Sequence, residues 1–483
     1  NACLRGCSRH TGVTLLFRHF LRAGIDVIGA ELMYGSHEIL LSGLRGNALA
    51  YGKTETLSHL ALQWHAEPVG GAAYNARYAL SLRLSYLHGV TQINTEEGLW
   101  WTENGFVSHD RFSPVCRGFQ ETERDFLRYV SCHTRSGTPA RRHALLFGTN
   151  ENFPSYTDCS AWHKDAPGWE YGQSERAWEQ IRLFYPAATM THPRTAERCS
   201  VTQEPGWYSP TPYGLCDILP AEAPGDVLSQ YPYLAFAGYN TADAEQLERL
   251  IGYVRGGGRL LLCLCHLTTD TNRGNSRAGD YCTDLLPGYE RLTGFPADMQ
   301  SADGAIHRHR IGQGEVLTVA SYAFPVPGTP CGEVYAGALR SLAQASDRSA
   351  EVRAEIGDAR VEYGIWNEPD GRATVRLCGV AWNSPKKTET VRLIFGGKVF
   401  SLPVRPCEIT TVTISADRTL AVQTLDERGE VLSLTREGDC IRLSVQGEDV
   451  CRFRLFGRTP DADGEAMEIP LCGSENLLFP DKI

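Results

Sequence analysis

Gly24-Ile-Asp-Val-Ile-Gly-Ala-Glu31, Leu60-Ala-Leu-Gln-Trp-His-Ala-Glu67 and Gly89-Val-Thr-Gln-Ile-Asn-Thr-Glu96-Glu97 follow one another near the start of this 483-residue chain. Each is a short apolar or β-prone run that closes on glutamate. The spacing is 36 positions from Glu31 to Glu67 and 29 from Glu67 to Glu96. Helix-like stretches fill both gaps: Glu38 to Tyr51, with Leu40, Leu41, Leu44 and Leu49, and Tyr74 to Leu87. Strand, helix and strand in roughly 30 residues make a βαβ unit. Acids at the carboxyl ends of successive parallel strands are how a βα barrel assembles an active site. Strand signals at Asp26–Ala30, Leu60–Trp64 and Thr91–Asn94 therefore predict the C-terminal part of a (β/α)8 barrel over residues 1–143. Acid chemistry on a barrel points to glycosidic bond hydrolysis by paired carboxylates.

A chain this long exceeds one core, and two to four domains are expected. Hydrophobic residues make up 42%, enough for sizeable cores. The net charge of −10 argues against nucleic acid and anionic membranes as partners. No apolar run approaches the ~20 residues that span a bilayer. The chain opens on Asn1 without a signal peptide and close to a barrel strand, which leads us to expect an N-terminal truncation with earlier strands upstream. The 16 cysteines are spread along the chain with no CxxC pair, which fits reduced, buried thiols in a cytoplasmic protein.

Residues 144–345 carry a second pattern. Leu145–Gly148 and Tyr233–Ala237 read as strands, Gly172–Phe184 as a helix, and Tyr213–Leu219 as a lead into the sheet. Asn240-Thr-Ala-Asp243 caps a helix over Ala244–Arg255, Gly256-Gly-Gly258 stops it, and Arg259–Leu264 is the next buried strand. Strand, helix, glycine stop and strand predict a flavodoxin-like α/β domain. Residues 267–280 are polar and read as a loop. From about Ala350 the period becomes two, as in Ala373–Val380, Glu389–Phe395, Glu408–Ile414 and Cys440–Val445, so residues 346–483 are expected to form an antiparallel β-sandwich.

This order of domains resembles family 42 of the glycoside hydrolases, the β-galactosidases with a trimerisation domain, and related glycoside-hydrolase-like proteins. The matching residues are Arg45-Gly46 and Ala50-Tyr-Gly-Lys53 before the Trp64–Glu67 segment, Leu84-Ser-Tyr-Leu-His-Gly89, and Tyr253-Val-Arg-Gly-Gly-Gly258 followed by Arg259-Leu-Leu-Leu. The resemblance implies a retaining glycosidase, a homo-oligomer (trimer or dimer), and a nucleophile ending the seventh barrel strand. By order that residue is Glu67, with Glu96 on the eighth strand. The family's acid/base follows an asparagine at the end of strand four. The only Asn-Glu pairs here, Asn150-Glu151 and Asn367-Glu368, lie later in the chain. Either the acid/base lies upstream of this sequence or another carboxylate serves.

One carboxylic acid must protonate the leaving oxygen while a second carboxylate attacks. Glu67, Glu96 and Glu31 are the catalytic candidates. Trp64 and His65 stand beside Glu67, where an indole suits a sugar ring; the bland alternative is a solvated loop acid next to Pro68. Glu96 and Glu97 point to opposite faces of a strand, and Asn94 shares the Glu96 face. Glu31 binds a sugar hydroxyl or holds a cationic neighbour. Trp100, Trp101, His109 and Arg111 belong to a polar-aromatic stretch that forms a sugar platform or packs the loop. His109-Asp110 is too common a pair to mark a metal site, and neither metal nor cofactor is expected. Two alternatives stand beside hydrolysis. One is a glycan-binding protein without activity. The other is an amidotransferase-like hydrolase using Cys265 of Cys265-His266, although the strand lacks the small residues of a nucleophile elbow.

Overall fold

The computed structural model describes residues 9–12, 16–32, 36–62, 69–96, 114–147, 180–188, 208–237, 243–268, 286–295, 304–382, 387–457 and 465–480. The chain divides into two compact units. The first comprises residues 1–59, 90–94 and 141–348, and the second comprises 60–89, 95–140 and 349–483.

The first unit opens with β1 (Arg9–Gly12), α1 (Phe17–Arg22), β2 (Val27–Leu32), α2 (His37–Ala50) and β3 (Thr56–Leu60). After α3 (Ala72–Leu87) comes β4 (Gln92–Thr95), and the sheet order is β1-β2-β3-β4. β1 pairs β2 in parallel, from Arg9 opposite Val27 to Gly12 opposite Ala30. Backbone bonds run from Thr91 N–H to Thr56 O and from Glu96 N–H to Leu60 O, at 3.3 and 2.9 Å. Partners that advance together along both strands mark β3 and β4 as parallel. This is a four-stranded βα sheet; no closed barrel exists among the described residues. One expected strand moves: Leu60–Trp64 was read as a strand, whereas β3 ends at Leu60. The Thr56-Leu-Ser-His-Leu60 run has a β-branched start and is buried except at His59, and it outcompetes the apolar run after it.

α2 is buried almost all round, as expected for a helix covered on more than one side. It packs on β2 and on β7 (Asp217–Pro220) of a second sheet. Gly46 makes this approach possible, since a Cβ there would lie 2.1 Å from the Ile218 carbonyl oxygen. Beside it, Arg45 pairs with Asp217 and donates from Nη2 to Cys216 O at 2.7 Å. Two residues that carry part of the family resemblance thus dock a helix.

That second sheet holds β6 (His143–Phe147), β7, β8 (Tyr233–Phe236), β9 (Arg259–Cys263), β10 (Ile306–Ile311) and β11 (Gly314–Val319), in the order β10-β11-β9-β8-β6-β7. All pairings are parallel except β10 with β11. With β6 as the first strand, the parallel part reads 2-1-3-4-5, the order of flavodoxin-like sheets. Its strands are apolar on both faces. Leu145, Ala235, Leu261 and Leu317 enter one core, while Leu146, Leu234, Leu262 and Val316 enter the other. Of its helices, α5 spans Gly225–Leu228, α6 Ala244–Arg255, α7 Cys265–Thr268, α8 Leu286–Thr293 and α9 Pro330–Ser349. Asp243 caps α6 in a reciprocal box with Gln246, at 2.8 and 3.1 Å. The expected Gly172–Phe184 helix lies mostly outside the described residues; its end is a short turn of 3-10 helix at Gln180–Leu183.

In the second unit, α3 packs on α4 (Pro114–Cys132) through Tyr74 and Tyr78 against Phe119, with Tyr78 OH donating to Glu123 at 2.6 Å. β5 (Thr138–Pro139) pairs with β13 (Val361–Asn367). β12 (Val352–Glu355), β15 (Glu389–Phe395) and β16 (Lys398–Val404) form one antiparallel sheet. β13, β14 (Ala373–Gly379), β17 (Ile409–Ile414), β18 (Ala421–Thr424), β19 (Gly429–Glu437), β20 (Cys440–Phe456) and β21 (Glu465–Pro480) join β5 in the other. Val391, Leu393 and Leu402 of one sheet share a core with Val375, Leu377 and Val412 of the other, which makes a sandwich.

Candidate functional site

β2 alternates, so Gly29 and Glu31 share a face. A Cβ on Gly29 would meet Thr11 Cγ2 at 2.7 Å and Leu57 Cβ at 3.0 Å, so this face is that of Leu57 on β3. Two residues on, the same face of β3 presents His59. Side-chain polar atoms of Glu31 and His59 lie within 4.8 Å of one another, and both residues are half-buried. His59 Nδ1 is 3.0 Å from Asn94 Oδ1 on β4. With a carbonyl oxygen as acceptor, Nδ1 of His59 carries the proton. Alternation places Glu96 on the Asn94 face, one residue past the end of β4 and half-buried.

Of the residues singled out in the sequence, Glu31 and Glu96 are therefore found at the carboxyl edge of the parallel sheet. Glu67, Trp64, His65, Glu97, Trp100, Trp101, His109 and Arg111 lie outside the described residues. β3 ends at Leu60, seven positions before Glu67 in the sequence. His59 was missed. The alternation of Thr56-Leu-Ser-His-Leu60 was the available signal, but the neighbouring Trp64-His65 drew the reading away. A carboxylate beside an imidazole can pass a proton or hold a hydroxyl between them.

Cys265 and His266 offer no nucleophile. Both are fully buried, burial pushes the Cys265 thiol up, and His266 is held neutral, down to about 3. His266 Nδ1 accepts from Cys263 N–H at 2.9 Å and Nε2 meets Gln180 Oε1 at 3.2 Å, so the ring is already used as a bracket.

A cleft of about 900 Å³ lies in the second unit between α3, α4 and the segments around Glu408 and Glu427. Eight of its charged residues match in pairs: Arg83 with Glu427, Arg128 with Asp125 at 3.0 Å, Arg405 with Glu408 at 3.5 Å, and Arg452 with Asp426 at 3.6 Å. Charges matched in this way leave little to orient a ligand, and the β2–β4 edge is the better candidate. No helix among the described residues is long and apolar enough to cross a membrane.

Neither a family model nor a curated protein matches the chain. Solved structures with a similar course are glycoside hydrolases. Gan42B, a GH42 β-galactosidase from G. stearothermophilus, aligns at a TM-score of 0.49 and 13% identity, covering 82% of this chain and 60% of its own. The β-galactosidase of Bacillus circulans sp. alkalophilus aligns at 0.47 and 11%, covering 82% and 61%. The exo-carrageenase GH42 of Bacteroides ovatus aligns at 0.39 and 9%, covering 82% and 48%. The chain thus spans about 60% of the length of the first two.

Proposed function

We propose that this chain is a glycoside hydrolase, or the part of one that holds its nucleophile, retaining in mechanism and β-galactosidase-like in substrate. The observation that carries the reading is the carboxyl edge of the parallel sheet: Glu31 is the penultimate residue of β2 and lies beside His59 of β3, and Glu96 follows β4. In the proposed cycle Glu67 attacks the anomeric carbon while an acid protonates the departing oxygen. Glu96 or Glu31 supplies that proton unless an upstream acid does so. The same acid, then acting as base, draws a proton from water as water releases the sugar from Glu67. His59 and Asn94 fix the neighbouring hydroxyls, and Trp64, Trp100 and Trp101 offer ring faces. Residues 144–345 serve as the trimerisation-like domain of a homo-oligomer, residues 346–483 as the sandwich, and the protein works in the cytoplasm. Light scattering that shows only monomer at micromolar concentration counts against the oligomer.

The test is turnover of aryl glycosides by the wild type and by Glu67→Gln, Glu96→Gln and Glu31→Gln. Loss of several orders of magnitude in Glu67→Gln with the fold intact supports the roles. Glycan binding with no turnover by any form assigns the chain to the non-catalytic reading.

A further inference from the structure

Three adjacent strands of one sheet bring a nitrogen and two oxygen ligands to its carboxyl edge. Glu31 lies at the end of β2, His59 near the end of β3, and Glu96 one residue past β4. Each offers one ligand atom, an imidazole nitrogen or a carboxylate oxygen, and these atoms all lie within 4.8 Å of one another. All three residues are half-buried, so an ion can reach them from solvent. The imidazole is already oriented. Asn94 Oδ1 takes the Nδ1 proton of His59 at 3.0 Å, which leaves Nε2 its lone pair. Metal-bound histidines are held by such a bond at the second ring nitrogen. The backbone of Glu96 is fixed as well, since its N–H donates to Leu60 O at 2.9 Å. No spacing along the chain announces this cluster, because its members come from three strands.

We propose that Glu31, His59 and Glu96 bind one divalent cation, and that the ion is zinc. Two carboxylates balance its charge, and an imidazole suits zinc, whereas calcium and magnesium are hard ions that take oxygen ligands. Zinc bonds of ~2.0–2.2 Å place tetrahedral ligand atoms roughly 3.3 Å apart. The three atoms therefore draw in by at most ~1.5 Å, which rotation of the two glutamate side chains supplies. Three protein ligands leave a fourth position for water or for a hydroxyl of a bound molecule. The site goes beyond the hydrolase reading and stands without it, since the ion needs no substrate to bind. Where Glu31 or Glu96 is the acid of the proposed cycle, the bound ion keeps that carboxylate ionised, and zinc inhibits.

The experiment strips the full chain with a chelator, titrates it with zinc sulfate by calorimetry, and repeats the titration with cobalt(II) as a coloured stand-in. The expected result is one zinc per chain and a cobalt spectrum without a sulfur-to-metal charge-transfer band, which separates this site from zinc held by any of the 16 cysteines. Asn94→Ala weakens binding by about 10–100-fold, and Glu31→Gln, His59→Gln and Glu96→Gln weaken it by at least as much, each with the folded circular dichroism spectrum retained. His307→Gln and His309→Gln, on the edge strand β10, leave it unchanged. No stoichiometric binding, a thiolate band in the cobalt spectrum, or an affinity that Glu31→Gln and His59→Gln both leave unaltered overturns the site.

Discussion

Replacing Arg83 by methionine tests how the second unit is held together. Arg83 of α3 is 10% exposed at its side chain, and Glu427 is 15% exposed. The guanidinium donates from Nε to both carboxylate oxygens, at 2.8 and 3.0 Å, and Nη2 closes the fork. Glu427 also accepts from Ile409 N–H at 2.6 Å. Arg83→Met removes the cation and keeps the aliphatic stem, so packing survives while a buried carboxylate loses its counter-charge. Breaking a buried pair from one side costs ~3–5 kcal/mol. In a unit of this size, each kcal/mol moves the midpoint by ~2–4 °C, which predicts a fall of roughly 6–20 °C. Adding Glu427→Gln should restore at least half of the loss, because the amide oxygen still accepts from Ile409 without a charge. The assay is thermal unfolding followed by near-UV circular dichroism. A single variant that costs under ~1 kcal/mol, or a double variant no better than the single, refutes the view that charge pairing fixes α3.

Gly46→Ala should destabilise the first unit although alanine favours helices by ~1 kcal/mol, because the new methyl meets Ile218 O at 2.1 Å; a raised urea midpoint would contradict the tight contact of α2 with β7. Burial depresses His143 and His266 to about 3 and His133 to about 4. Their unfolded forms take up a proton near pH 6.5, so stability is full above that value and falls as pH drops toward 4, by up to ~2 kcal/mol for each ring at pH 5. Urea midpoints that match at pH 7.5 and pH 5, or a slope that His143→Phe leaves unchanged, would refute this. Trp100→Ala or Trp101→Ala should raise KM about fivefold, the equivalent of ~1 kcal/mol of ring stacking, with little change in Tm. A loss of ~3–5 kcal/mol in stability at constant KM would make them core residues.

The fold was legible where pattern and local chemistry agree. Ala244–Arg255 was read to the residue, because Asp243, the apolar stripe and the glycine stop all point the same way. The period-two strands after residue 350 were legible for the same reason. The β10–β11 hairpin was not read, since Ile306-His-Arg-His-Arg-Ile311 is a polar edge strand and shows no apolar face to the eye. Nor was the long β20–β21 hairpin, whose outer strand lacks a clean alternation. At the candidate site, glutamates at strand ends were visible as a repeat. The partner of Glu31 was not, because His59 is brought close by pairing across strands, a non-local contact that spacing along one strand cannot report.

Trapping the glycosyl-enzyme tests the central claim most directly. A fluorinated aryl β-galactoside, which releases its phenol but hydrolyses slowly at the next step, should label the chain once, and peptide mass mapping should place the sugar on Glu67. A burst of phenol equal to the enzyme present, absent in Glu67→Gln, completes the expected result. No label from any aryl glycoside tried, or a label on a residue away from the β2–β4 edge, would contradict the account.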